Sequence, residues 1–331
     1  MIFTSLGDMA QRMATNRLNS GLQTDLVRLT TELTTGETST PSEHLSSDFR
    51  YLSAVEHRKR TAQAHETAAS EALSFASAMQ AAMERIQTST QTLSTDLLTA
   101  AEGPDEGRRA VAQAAEQTLG QIVSALNTSF AGRSLFAGNA TDSAAVISAE
   151  EILQAVRAET AGETTAEGIK SAVTAFFSQS GGFLDQAYLG SDEPLSPFKL
   201  GEHENVQLNM RADAQELQDL LASTTLAAIS DDYDSSDLRK TLQEDAGLTL
   251  IQDQGNLTTL RADLGFAEAR IEEIGVAIAA ERTALDFARE SLLGIDEYET
   301  ATHLENTQFQ IEALYTVTAR LSGLSLLGYL R

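Results

Sequence analysis

Between Pro41 and Pro104 the chain runs 62 residues without a proline, and after Pro197 no proline occurs again. Proline would remove a helical hydrogen bond and clash with the preceding turn, so its absence from such long stretches leaves long helices open. The residues that fill them are mostly Ala, Leu, Thr, Ser, Gln and Glu, of which Ala, Leu, Gln and Glu are good helix formers. Only Pro41, Pro104, Pro194 and Pro197 interrupt 331 residues. The hydrophobic share of 42% can build a core, but only 5% of residues are aromatic and tryptophan is absent. That balance favours helices over a β-rich fold.

Apolar spacing gives the helices their faces. Leu6, Met9 and Met13 stand three and four apart, and Leu18, Leu22, Leu26, Leu29 and Leu33 continue the stripe after a drift near Asn16. Gly36 is a natural stop. A second helix is expected from Thr40 as N-cap, with Pro41 at the first helical position and Glu43 closing a capping box. It runs to about Ala101 along Leu45, Phe49 and Leu52, and later Ala69, Leu73, Ala76, Met79, Met83, Ile86, Thr90, Leu93 and Leu97. Nearly 60 residues would span roughly 90 Å, a rod that needs a partner helix. Gly103-Pro104 breaks and restarts it, and Val111, Ala115, Thr118, Ile122 and Leu126 carry the face on to about Phe130.

From residue 137 to 240 the texture changes. Ser148 with Glu151 and Thr164 with Glu167 predict short capped helices, while GGFLDQAYLG and PLSPFKLGEHENVQLNM predict strands. This stretch holds 18 acidic and 6 basic residues, nearly half of the chain's excess negative charge. Helical pattern returns at Asp213–Ile229 and from about Leu238 to Leu293, where Gly294 ends it. Asp296 with Glu299 opens a last helix carrying Leu304, Ile311, Leu314, Val317, Leu321 and Leu324, ahead of the apolar tail with Leu326 and Leu327. No repeat of solenoid period is visible.

The expected fold class is mainly α: an elongated antiparallel helical bundle or coiled-coil rod from paired N- and C-terminal arms, with a small α+β domain inserted in the middle. The expected domains are terminal helices at 1–40 and 296–331, a rod at 41–136 and 213–295, and a small mixed domain at 137–212. The helix at 213–229 fits either the rod or the insertion.

Charge and composition exclude whole classes of function. With 23 basic against 48 acidic residues, a net charge of −25 and a pI near 4.4, no broad basic face is available for nucleic acid or an anionic membrane. Without cysteine there are no disulfides, thiolate metal sites or thiol nucleophiles. No run of 18 apolar residues predicts a membrane span. The start, MIFTSLGDMAQRM, lacks the basic and apolar regions of a cleaved signal peptide, so residence in the cytoplasm or export by a route that reads an uncleaved N-terminus is expected.

Candidate chemistry is sparse. His57 and His65 are eight apart on one helix, too far to share a small metal ion, and His203 sits between Glu202 and Glu204 in an expected hairpin. The cluster Asp231, Asp232, Asp234 and Asp237 invites calcium. A loop begun at Asp232, however, puts Asp237 where glycine is needed and Gln243 where glutamate is needed, so an ordinary solvated turn is expected. Gly181-Gly182 lacks the context of a phosphate loop, and no nucleophile elbow is present. No catalytic residue, metal ligand or cofactor is assigned, and the chain is expected not to be an enzyme.

What remains is the pair of amphipathic ends. Two helices of about 35 residues enclose too little interior to offset the entropy of ordering them. Packed among copies, their leucines would each contribute about 1.5–3 kcal/mol of burial. The candidate assembly interface is Leu6, Met9, Met13, Leu26, Leu29, Leu33, Leu304, Ile311, Leu314, Leu321, Leu324, Leu326 and Leu327. A self-contained helical hairpin would show the same stripes, and periodicity does not choose between the two.

The same ends resemble a known family. Ile295 to Leu330, with its acidic start, Ala/Leu/Gln-rich helix and closing LSLL, is similar to the final segment of the bacterial flagellin superfamily. Met13 to Glu37 is similar to that family's opening helix, and RSLFAG at Arg133 to Gly138 resembles the segment by which its hook-filament junction branch, the hook-associated protein 3 family, leaves the helical domain. Where flagellins have an arginine-leucine-serine-serine-glycine turn, this chain has Glu32-Leu33-Thr34-Thr35-Gly36, and of the aspartate-rich start that follows only Asp48 remains. Both departures point to the junction branch. The resemblance implies an extracellular flagellar subunit exported uncleaved by the flagellar type III apparatus with its chaperone. Its partners would be hook-associated protein 1, flagellin and copies of itself, without nucleic acid or membrane insertion. A short filament flagellin is the alternative, and a metal-binding or enzymatic acidic middle a third.

Overall fold

The computed structural model describes residues 3–45, 48–179 and 181–329. It is 76% helical, and among the described residues there are two small two-stranded sheets. In chain order the helices are α1 (Phe3–Thr35), α2 (Pro41–His44), α3 (Arg50–Ala101), α4 (Asp105–Leu126), α5 (Ala149–Thr160), α6 (Ala166–Ser178), α7 (Phe183–Gln186), α8 (Gln215–Ala228), α9 (Ser236–Leu293) and α10 (Glu297–Tyr329). The strands are β1 (Ser129–Phe130), β2 (Arg133–Ser134), β3 (Phe198–Lys199) and β4 (Asn205–Val206). The chain divides into two compact units, residues 1–63 with 280–331 and residues 64–279, and α3 and α9 contribute to both.

In the 64–279 unit, α3 and α9 run antiparallel. Gln80 donates to the Arg261 carbonyl at 2.8 Å, Gln87 to Thr258 at 3.2 Å and Gln254 to Thr90 at 3.0 Å, so partners descend on one helix as they climb on the other. On α3, Phe75, Met79, Met83, Ile86, Leu93 and Leu97 are all buried. Their spacing of three and four is the helical repeat that made the seam legible. The seam's first residues behave differently: Phe49 is exposed, Leu45 and Leu52 are half-buried, and burial on α3 begins at Val55.

The inserted segment is a small α+β body. Hairpin β1–β2 turns through Ala131 (φ 51°) and Gly132 (φ 78°), the two left-handed residues a tight hairpin of this kind requires. Arg133 lies over the rings of Phe75 and Phe198 at 5.3 and 5.7 Å. Beyond it Phe136 is fully buried, and Gly138 (φ 59°) leaves no room for a side chain, since a Cβ there would meet the Glu193 carbonyl oxygen at 2.5 Å. Helix α8 packs on α4 and α6 and buries ten of its residues.

Four local expectations are corrected. The second helix is not continuous from Thr40: α2 ends at His44 and α3 begins at Arg50. Its capping box does not form, because Thr40 (ψ 65°) lacks the extended backbone that aims the hydroxyl at the third amide, and Glu43 N–H donates to the Thr40 carbonyl instead at 3.1 Å. The cap of α6 is Thr165 rather than Thr164, accepting from Gly168 N–H at 3.1 Å. The strand expected in GGFLDQAYLG is the short helix α7, with a single bridge from Tyr188 to Val146. Packing decides that case: Phe183 is buried against Phe177, with ring centroids 5.3 Å apart. The box at Ser148 and Glu151 forms in full, and PLSPFKLGEHENVQLNM contains hairpin β3–β4.

Asp253 on α9 is 6% exposed, and one of its carboxylate oxygens has no hydrogen-bond partner. Burial first, and the Asp219 carboxylate second, push its pKa up to about 6, against a smaller pull from Ser223. A raised carboxyl pKa means the folded state holds the proton more tightly than the unfolded chain, so this group's contribution grows as pH falls from about 6 towards 4 and is lost above. Asp253→Asn should therefore raise stability by about 1 kcal/mol at pH 7, after allowance for water around Asp219, and by little at pH 4. Urea midpoints of both proteins at the two pH values measure the difference.

Candidate functional site

The terminal unit is built from α1 and α10, joined through a tight collar. Gly36 (φ 74°) donates its N–H to the Glu32 carbonyl at 2.8 Å and ends α1. Thr38 N–H then donates to the Leu293 carbonyl at 2.8 Å and Ile295 N–H to the Gly36 carbonyl at 3.1 Å, so the end of α1 meets the start of α10. Asp296 accepts the Glu299 N–H at 3.0 Å and caps α10. Arg289 clamps the collar between Glu37 and Glu56. Farther along, Gln23 donates to the Tyr315 hydroxyl at 3.3 Å, which fixes the two helices as antiparallel.

Among the described side chains this pair has almost no interior: α1 buries Leu22, Leu29 and Glu32, and α10 buries only Thr300 and Thr307. Glu32 is held by Arg28 at 3.0 Å and by Ser39 N–H at 2.9 Å, which leaves two leucines as the apolar core of helices about 50 Å long. Large apolar side chains face solvent instead: Met9 is 63% exposed, Met13 62% and Phe309 71%, with Leu18, Val27, Leu33, Tyr315 and Val317 also exposed. Of the candidate interface residues, Leu29 is buried within the pair, while Leu26, Leu304, Ile311 and Leu314 are half-buried along it. Leu6, Leu321, Leu324, Leu326 and Leu327 lie outside the residues whose side chains are described.

Charge separates the units. Residues 64–279 hold twelve basic and thirty-three acidic residues, whereas the terminal unit holds eleven and fifteen. A nearly balanced surface lets copies approach closely, and an excess of 21 negative charges keeps the other unit solvated and mutually repelling.

The acidic turn is tied by arginines. Arg239 is 1% exposed and reaches Asp105 at 2.5 Å, Asp231 at 3.1 Å and the Tyr233 carbonyl at 2.9 Å. Arg157 takes Asp232 at 2.8 Å and Glu116 at 2.9 Å. Asp105 is held down at about 2, chiefly by its hydrogen bond from Arg109. The expectation of a purely solvated turn therefore misses the ion pairs; Arg239, well separated from Asp105 in sequence, gives no local signal of them. Among the described residues no three His, Asp or Glu side chains gather as a metal site, and His57 and His203 are exposed.

Likeness to known proteins falls on the same elements. Residues 249–330 match the family model of the bacterial flagellin C-terminal helical region. Among solved structures, the fold is similar to that of a protein assigned to the flagellar hook-associated proteins of Vibrio parahaemolyticus. The TM-score is 0.54 and the identity 16%, over 75% of this chain and 97% of that one. Among curated proteins none matches the chain. The matched stretch thus comprises most of α9 and the whole described length of α10, on which Phe309, Tyr315 and Val317 are exposed.

Proposed function

We propose that this chain is a structural subunit of the bacterial flagellum, placed as the junction adaptor between hook-associated protein 1 and the filament and assembling through α1 and α10. The observation that carries the reading is the terminal pair with two buried leucines and a row of exposed methionine, phenylalanine, tyrosine and valine side chains. Burying each such side chain among neighbours contributes about 1.5–3 kcal/mol, and this is what the lone pair lacks. The flagellin-like match over residues 249–330 supports the flagellar setting. Export would be through the flagellar type III apparatus without a cleaved signal, with the charged 64–279 unit facing outward.

Filament flagellin is the second reading, favoured by the same C-terminal match. Electron microscopy of intact appendages bearing a tagged copy separates the two. A single band of label where hook meets filament supports the adaptor, label along the whole filament supports flagellin, and no label on the appendage removes both.

A further inference from the structure

Along the terminal pair α1 and α10 leave a groove with two joined compartments sharing Leu22 and Gln310. The first, of about 270 Å³, is apolar and lined by Leu18, Leu22, Ala313, Leu314 and Val317. The second, of about 670 Å³, is lined by the carboxylates of Asp25, Glu32, Asp296 and Glu299 together with Arg28, His44 and His303; Arg28 already pairs with Asp25 and Glu32, and the four carboxylates still outnumber the one guanidinium. The excess of carboxylates favours an occupant that is apolar over one length and cationic over the next.

The chain itself supplies such a segment. On α1, Met9 and Met13 are four residues apart and share a helix face, with Arg12 and Arg17 flanking it. All four are exposed, and neither arginine makes an ion pair among the described residues. Nine residues of helix cover about 13 Å, short enough to lie within the groove. We infer that residues 9–17 of one copy dock into the α1–α10 groove of a second copy, with the methionines in the apolar compartment and an arginine on the carboxylates. This rests on the reading that the terminal helices are the assembly surface, and it adds the register. Because the segment and the groove are different surfaces of the same unit, each copy offers one and accepts one, and the contact repeats head to tail into a ring or an open line.

The absence of cysteine makes the test direct. Full-length Met13→Cys and Ala313→Cys proteins are mixed and oxidised. The expected product is a disulfide-linked dimer of the two different variants, in clear excess over either variant paired with itself. Adding Arg12→Glu and Arg17→Glu to the Met13→Cys protein should cut the yield about tenfold or more, through like charges facing each other. Adding Asp25→Arg and Glu299→Arg to the Ala313→Cys partner should then restore it, which an unfolded variant could not do. Absence of the mixed dimer, or a yield indifferent to the reversals, overturns the inference. The mixed dimer failing while tagged protein still labels the appendage removes the register alone; the mixed dimer forming with no label on the appendage removes the flagellar setting alone.

Discussion

Truncation before Asp296, which removes all of α10, should abolish attachment to the hook end while leaving the 64–279 unit folded. The two halves of this expectation have separate causes. The truncation deletes the residues that bury least in the lone chain, Thr300 and Thr307 being the fully covered ones among the described side chains, so little intramolecular packing is lost. It also takes away Phe309, Tyr315 and Val317, exposed apolar side chains available for burial between copies. Phe75 keeps Phe130 and Phe198, and Phe177 keeps Phe176 and Phe183, all of them within residues 64–279. Electron microscopy should show no labelled junctions, and circular dichroism should lose helix corresponding to the terminal pair while the main unfolding transition stays. Normal attachment by the truncated chain would contradict the assembly role of α10.

The second large effect lies in the arginine-tied corner. Arg239→Ala removes the one buried cation that faces both Asp105 and Asp231 and strips the Tyr233 carbonyl of its donor. Breaking a buried pair by deleting one partner costs about 3–5 kcal/mol, and the partial exposure of the two aspartates lowers this to about 2–4 kcal/mol here. The main denaturant midpoint should fall accordingly. Arg239→Met, which keeps the apolar stem, should lose somewhat less. Asp105 would also recover a pKa closer to the ordinary carboxylate range, since Arg239 is among the groups holding it down at about 2. A midpoint unchanged by Arg239→Ala would show that the corner is held by packing alone.

How much of this was legible in the sequence follows from the range over which each feature is determined. Helix α9, the seam from Ala69 to Leu97 and the cap at Asp296 depend on residues three or four apart, and they stand as the spacing predicts. The pairing of α1 with α10 follows from two stripes with nowhere else to go. Features settled by distant partners were not legible. Phe183 becomes helical because it packs on Phe177, Asp231 pairs with an arginine eight residues on, and the same Arg239 reaches Asp105 from across the unit to join the nearby Arg109. The spacing of four between Arg28 and Glu32 was a readable sign of an internal ion pair, but the bond Glu32 accepts from Ser39 N–H was not. The groove on the terminal pair was invisible for the same reason, since half of its lining comes from each end of the chain.

The central claim is that the exposed apolar face of the terminal helices is wet in the lone chain and dry in the assembly. Hydroxyl-radical footprinting with mass spectrometry reads this at single side chains, and Met79 and Met83, fully buried in the other unit, serve as internal references. In monomer, Met9, Met13, Phe309 and Tyr315 should oxidise readily and the two references hardly at all. On isolated hook-filament appendages all six should be protected. Equal oxidation of Met9, Met13, Phe309 and Tyr315 in both states would contradict the account.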